Sequence, residues 1–197
     1  LLAPEEDGLC ARCAALLPAA EGEKALQRGE FFMLCASPFY YEGAVRESVR
    51  RFKFGGCRGY AGLYAAFMAD CAQAHFQDGF DLVTWAPVGG GRLRRRGYDQ
   101  GALLAEAVGA RMGLSVRATL MKTVENEPQS TRASAEERRA NVLGVYALRP
   151  DAGAEGLRVL LVDDVVTTGA TLSECARVLR TGGASSVCCL TLARRKA

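Results

Sequence analysis

Leu160 to Leu172 reads LLVDDVVTTGATL, and this stretch decides the fold. Leu157 to Val162 is apolar apart from Arg158, the composition of a strand covered on both faces. It ends in two adjacent carboxylates, Asp163 and Asp164. Thr167, Thr168, Gly169, Ala170 and Thr171 come next, and a helical pattern starts at about Thr171. Ligands of open parallel sheets bind beyond the carboxyl ends of the strands, where this pair falls. Neighbouring carboxylates can accept hydrogen bonds from a vicinal diol. Gly169 permits positive φ and close backbone approach. The unpaired amides of a helix start, with three threonine hydroxyls, make an anion cradle. The arrangement suits a sugar carrying a phosphate, with the 5-phosphate in the cradle and the ribose hydroxyls at the aspartates. No G-x-x-x-x-G-K-[ST] or G-x-G-x-x-G lies at a suitable strand–helix junction, so the phosphate-binding P-loop and the dinucleotide fingerprint are excluded.

Outward from this run the pattern alternates. Helices are expected over Glu42–Phe52, Tyr60–Phe76, Asp99–Met112 and Thr171–Arg180, and strands over Asp81–Val88, Val145–Leu148 and Val187–Ala193. Val116, Ala118 and Leu120 alternate with more polar residues and read as a further strand. Lys122–Ala133 has no apolar period and reads as a mobile loop; Ser134 and Glu137 form a capping box for a short helix ending near Val142. Alternating strands and helices imply an α/β fold with a mostly parallel sheet flanked by helices. Residues 1–35 form a weakly patterned, cysteine-containing appendage, and residues 36–197 the main domain.

The chain has 197 residues, 49% of them hydrophobic, enough for one well-packed domain and a small appendage. Net charge is a mild +3, yet the arginines cluster, notably Arg92, Arg94, Arg95 and Arg96. Clustering matters more than the sum for phosphate or nucleic-acid contact. No apolar run is long enough to span a bilayer, and no signal peptide is visible. Eight scattered cysteines fit reduced thiols, so a cytoplasmic location is expected. Cys10 and Cys13 form one C-x-x-C, candidate zinc ligands, but a zinc knuckle uses two such pairs and the second is absent; the sequence favours no complete zinc site. The one histidine, His75, ends a helix and reads as structural.

Val159–Leu172, VLLVDDVVTTGATL, resembles the phosphoribosyl-pyrophosphate signature of type I phosphoribosyltransferases. FYYEGAVRESVRRFKFGG (Phe39–Gly56), APVGGGRLRRRGYDQG (Ala86–Gly101), PQSTRASAEERRANVLGVYAL (Pro128–Leu148) and GGASSVCCLTLARR (Gly182–Arg195) are similar to one branch, the ComF family of competence-associated proteins, and occur in its order. The resemblance implies a type I phosphoribosyltransferase-like fold. It implies ribose and metal contacts at Asp163 and Asp164, and a 5-phosphate loop at Thr167, Thr168, Gly169, Ala170 and Thr171. It implies a pyrophosphate loop at Pro87, Val88 and Gly89, and phosphate contacts at Lys53, Arg95 and Arg96. Gln129, Arg138 and Asn141 match positions on a flexible loop that closes over substrate. The branch pattern is close to R-R-G-F-N-Q; here Tyr98 and Asp99 replace Phe and Asn, and Asp99 brings a negative charge beside the proposed anion site.

Two functions are expected. One is an enzyme that binds phosphoribosyl pyrophosphate with Mg²⁺ and transfers the phosphoribosyl group to an unknown acceptor. The other is a non-catalytic module that senses the ligand and binds single-stranded DNA, with partners in the competence machinery; Tyr40, Tyr41, Phe52, Phe54, Tyr60 and Tyr98 are its candidate stacking residues. Neither an acceptor-recognising hood nor a general base is legible.

Overall fold

The computed structural model describes residues 8–124 and 142–196. Gln129, Ser134, Glu137, Arg138 and Asn141 lie outside the described residues, and with them the expected helix after the loop.

The central strand β7 (Arg158–Val166) pairs in parallel with β8 (Ser186–Arg194) on one side and β4 (Leu82–Trp85) on the other. The far edge of β8 is completed, also in parallel, by β2 (Cys35–Ala36) and β3 (Phe39–Tyr40), and β1 (Leu26–Gln27) adds antiparallel to β2. Residues 26–35, read from sequence as appendage, therefore lie against the sheet. Ser37, between β2 and β3, shares a buried 2.7 Å hydrogen bond with the Thr191 hydroxyl.

Alternation along β7 sorts its side chains into two cores. Leu160 and Val162 join Val45, Val49 and Phe52 of α2 (Gly43–Phe54), Met68 of α3 (Tyr60–His75), and Leu104 and Val108 of α5 (Gln100–Met112). Val159 and Leu161 face the other way, onto Leu172, Cys175 and Leu179 of α6 (Ala170–Thr181). A strand buried on both faces needs an unbroken apolar run, and Val159–Val162 provides it: all four are fully buried. At the opposite end of the sheet, Arg158 grips both oxygens of Asp81 at 2.8 and 3.0 Å, pinning β4 to β7.

Three expectations change. Val116 contributes only a parallel bridge to Val83, and the strand expected over Val116–Leu120 begins at its last residue: β5 (Leu120–Lys122) pairs antiparallel with β6 (Tyr146–Leu148) in a separate small sheet. Gly109 explains this shift, since a Cβ there would sit 2.2 Å from a Val116 methyl; Val116 packs onto α5 instead of extending a ladder. The arginine-rich segment after the glycines, outside every expected helix, is a short helix, α4 (Gly90–Arg96), stopped by Gly97 at φ +75°. Finally, β7 does not end at Val162 but carries the two aspartates as strand residues. A four-residue helix, α1 (Ala11–Ala14), lies near the start of the described chain. Among the described residues no helix is long and apolar enough to cross a membrane.

Leu161 is fully buried between sheet and α6. Leu161→Ala is expected to cost about 2–5 kcal/mol in urea denaturation. Leu143→Ala, at a residue 70% exposed, should stay within about 0.5 kcal/mol.

Candidate phosphosugar site

The pleat of β7 decides where the acid pair points. Asp163 continues the Val159 and Leu161 row toward α6; Asp164 continues the Leu160 and Val162 row toward α2. Asp163 accordingly lines a small pocket of about 70 Å³ with Thr167, Thr168, Gly169, Ala170 and Thr171. Asp164, which is not among that pocket's lining residues, is buried and accepts a 2.6 Å hydrogen bond from the Lys53 ammonium at the end of α2. The pair is linked through the backbone, the Asp164 amide donating to Asp163 Oδ1 at 2.8 Å. Asp164 Oδ2 is buried with no hydrogen-bond partner.

Burial, reinforced by the neighbouring Asp164 carboxylate, pushes the Asp163 carboxyl up to about 8. Burial opposes charge on Lys53, but the Asp164 carboxylate at 2.6 Å and Asp163 beyond it outweigh that and hold the ammonium above its ordinary value. One lysine thus faces the acid pair from the α2 side, paired with Asp164.

The threonine loop is shaped by Gly169, the N-cap of α6, at φ +78°. The Thr168 hydroxyl accepts from the Ala170 amide at 3.4 Å. The remaining amides of the first helical turn have no intrahelical acceptor and open toward the pocket, an anion seat. Gly169 is backed by the N-terminal segment: a Cβ there would lie 3.1 Å from Gln27 Nε2 and 3.6 Å from the Phe32 ring. Nothing in the sequence marked those two residues as supports.

The Trp85–Val162 register sets the Ala86–Gly91 loop beside the acid pair. One of its amides is already engaged: Val88 N donates to Asp99 Oδ2 at 3.2 Å. Asp99 also accepts from the Trp85 indole at 3.3 Å and caps α5 through Gly101 N and Ala102 N at 2.8 and 3.2 Å. A carboxylate accepts at both oxygens, so the aspartate expected to disturb an anion site is spent on holding Pro87, Val88 and Gly89 in place. The Tyr98 hydroxyl donates to the Phe52 carbonyl, tying the same segment to α2.

Lys53, Arg95 and Arg96 do come together, but around a pocket that shares no lining residue with the threonine loop. Among the described residues no three His, Cys, Asp or Glu side chains group as a metal site; Cys35 is buried in β2 and Cys57 lies just beyond α2. His75 borders a hollow with Arg158 and Ser186, at the end of the sheet opposite the acid pair. Cys71, Cys175 and Cys189 are buried packing residues.

Residues 97–197 match the Phosphoribosyl transferase domain family. The chain is 32% identical over 162 residues to "Competence protein ComFC" of Bacillus subtilis, covering 80% of this chain and 63% of that one. It is 30% identical over 151 residues to "Competence protein F" of Haemophilus influenzae, covering 74% and 66%. It is 31% identical over 107 residues to "DNA utilization protein YhgH" of Salmonella typhi, covering 54% and 46%. The chain spans about half to two thirds of the length of these relatives.

Because Asp163 keeps its proton in the folded chain and releases it in the unfolded one, folding binds a proton between the unfolded value near 4 and about 8. Stability from this group is full at low pH and is lost as pH rises through that window. Asp163→Asn should therefore match the wild type in urea denaturation near pH 4 and exceed it at pH above 8; equal stability at both would contradict a carboxyl raised by folding.

Proposed function

Since the chain belongs to the phosphoribosyl transferase domain family, in its ComF branch, we propose that it binds phosphoribosyl pyrophosphate with Mg²⁺ at the end of β7. The observation that supports this most is the joint lining of one pocket by Asp163 and the Thr167–Thr171 loop: an oxygen acceptor and an amide-rich anion seat share a space of phosphate size. The Thr167, Thr168 and Thr171 hydroxyls and the amides at the start of α6 hold the 5-phosphate. Asp163 and Asp164 take the ribose hydroxyls. The Pro87–Gly89 backbone, braced by Asp99, receives the pyrophosphate.

The donor set fits Mg²⁺, which prefers hard oxygen ligands and retains waters: Asp164 Oδ2 is a buried carboxylate oxygen without a partner. When bound, the ion would neutralise the pyrophosphate and polarise its bond to the sugar. The protein's own share is positioning and electrostatics. Lys53 holds Asp164 through a 2.6 Å hydrogen bond, and the acid pair lies at the strand end where the sugar carbon becomes cationic as pyrophosphate leaves.

Transfer to an acceptor is one reading. The other is a ligand-sensing, single-stranded DNA-binding module serving DNA uptake, in line with the names of the relatives. The position of His75 favours the second, since it leaves the acid-pair end without the usual general base. Pyrophosphate release assayed across a panel of bases and amines separates the two: release with any acceptor identifies a transferase, and silence throughout identifies the binding module.

The site itself is tested by calorimetry with phosphoribosyl pyrophosphate and Mg²⁺. Asp163→Asn/Asp164→Asn should weaken binding by about tenfold or more, the scale of a lost charge-assisted contact. Equal affinity in the double variant would refute the assignment.

A further inference from the structure

Lys53 borders two spaces. Its ammonium donates to Asp164 at 2.6 Å, and the same side chain lines a separate pocket of about 290 Å³ with Phe54, Gly56, Arg95, Arg96 and Tyr98. Three cations border this pocket and no carboxylate does. Lys53 is partly neutralised by Asp164 and Arg95 is exposed. Arg96 donates to the uncharged Gln100 amide at 2.6 Å, while its Nε is buried with no partner. Burial and the charges of Arg92 and Arg95 act against the Arg96 cation, with Asp164 acting for it. Such an excess of positive charge calls for an anion, and guanidinium forks match phosphate oxygens.

The pocket also has a flat apolar wall. Phe54 is 68% exposed, unusual for a phenylalanine, and the Arg96 guanidinium lies 4.8 Å from its ring centroid on one face. The exposed ring remains open to a second flat group. Cations beside an exposed aromatic make the combination that holds a phosphate together with its base, with little preference among bases, because every base offers a π-face.

We propose that Lys53, Arg95, Arg96 and Phe54 form a second anion site that takes the phosphate of a nucleotide with its base on Phe54, and that Lys53 is shared between this site and the acid pair. The sharing rests on the phosphosugar reading above; the pocket does not. A phosphate in the pocket draws the ammonium off Asp164 Oδ1, so that both oxygens of that buried carboxylate lack a partner until a ligand supplies one. The two ligands then strengthen each other, by the same factor in either order. The nucleotide source is either a free mononucleotide or a single-stranded nucleic acid, which present the same chemistry.

Calorimetry on the full chain with thymidine 5′-monophosphate, thymidine, inorganic phosphate, an oligothymidylate and ribose 5-phosphate tests this. The monophosphate should bind and thymidine should not. Arg95→Glu, at an exposed position, should weaken the monophosphate or the oligothymidylate about tenfold, leaving ribose 5-phosphate within about twofold. Phe54→Ala should weaken the nucleotide but not inorganic phosphate. Sensitivity of the oligothymidylate alone supports the pocket and assigns a nucleic-acid source. Nucleotide binding unchanged by Arg95→Glu, or nucleotide that merely competes with ribose 5-phosphate, overturns the second site. Saturating nucleotide should tighten ribose 5-phosphate, and Lys53→Gln should abolish that effect; no tightening in the wild type overturns the shared role of Lys53. If ribose 5-phosphate fails to bind while Arg95-dependent nucleotide binding persists, the threonine-loop reading falls and the pocket stands.

Discussion

Consecutive side chains of a β-strand must leave on opposite faces, and this constraint governs the site. Because β7 continues through Asp163 and Asp164, two carboxylates adjacent in sequence enter different environments. One meets the threonine loop of α6; the other meets Lys53 of α2. Burial and the repulsion between two acids side by side raise the Asp163 carboxyl above its ordinary value, and an ammonium is placed against the buried Asp164. The charge state of the site is thus set by the pleat of one strand and the reach of one lysine.

The loops around the strand end are held from outside the signature. Gln27 and Phe32 crowd Gly169 from behind, and Arg194 at the end of β8 donates to the carbonyls of Lys24 and Leu26. The first strands of the chain and its last strand therefore support the anion seat together. On the other flank Asp99 joins Trp85, Val88 and the start of α5. Glu174 of α6 accepts from the Gly144 amide at 2.8 Å while paired with Arg177. That contact ties the Glu174 turn of α6 to the segment leading into β6.

Periodicity and local chemistry made much of the fold legible in the sequence. The doubly buried strand was visible in Val159–Val162, the helix starts in Asp99 and Gly169, and the anion seat in the threonine run. The family was legible for the same reason: its signature is continuous. Contacts joining distant segments left no such trace. Lys53 lies 111 residues from Asp164, and nothing local distinguishes a lysine that reaches a strand end from one in solvent. Asp99 was visible as a charge but not as an acceptor already filled by four donors. The α4 helix was hidden by three consecutive glycines, weak helix formers that here occupy its start. The shift of pairing from Val116 to Leu120 depends on a Gly109–Val116 contact that only the folded chain shows.

The most direct test is amide NMR on the full chain during titration with ribose 5-phosphate. If an anion sits on the helix mouth beside Asp163, the resonances of Gly169, Ala170, Thr171 and Leu172 shift and saturate together, and Asp163→Asn weakens the response. Saturation without movement of those four amides would contradict the site.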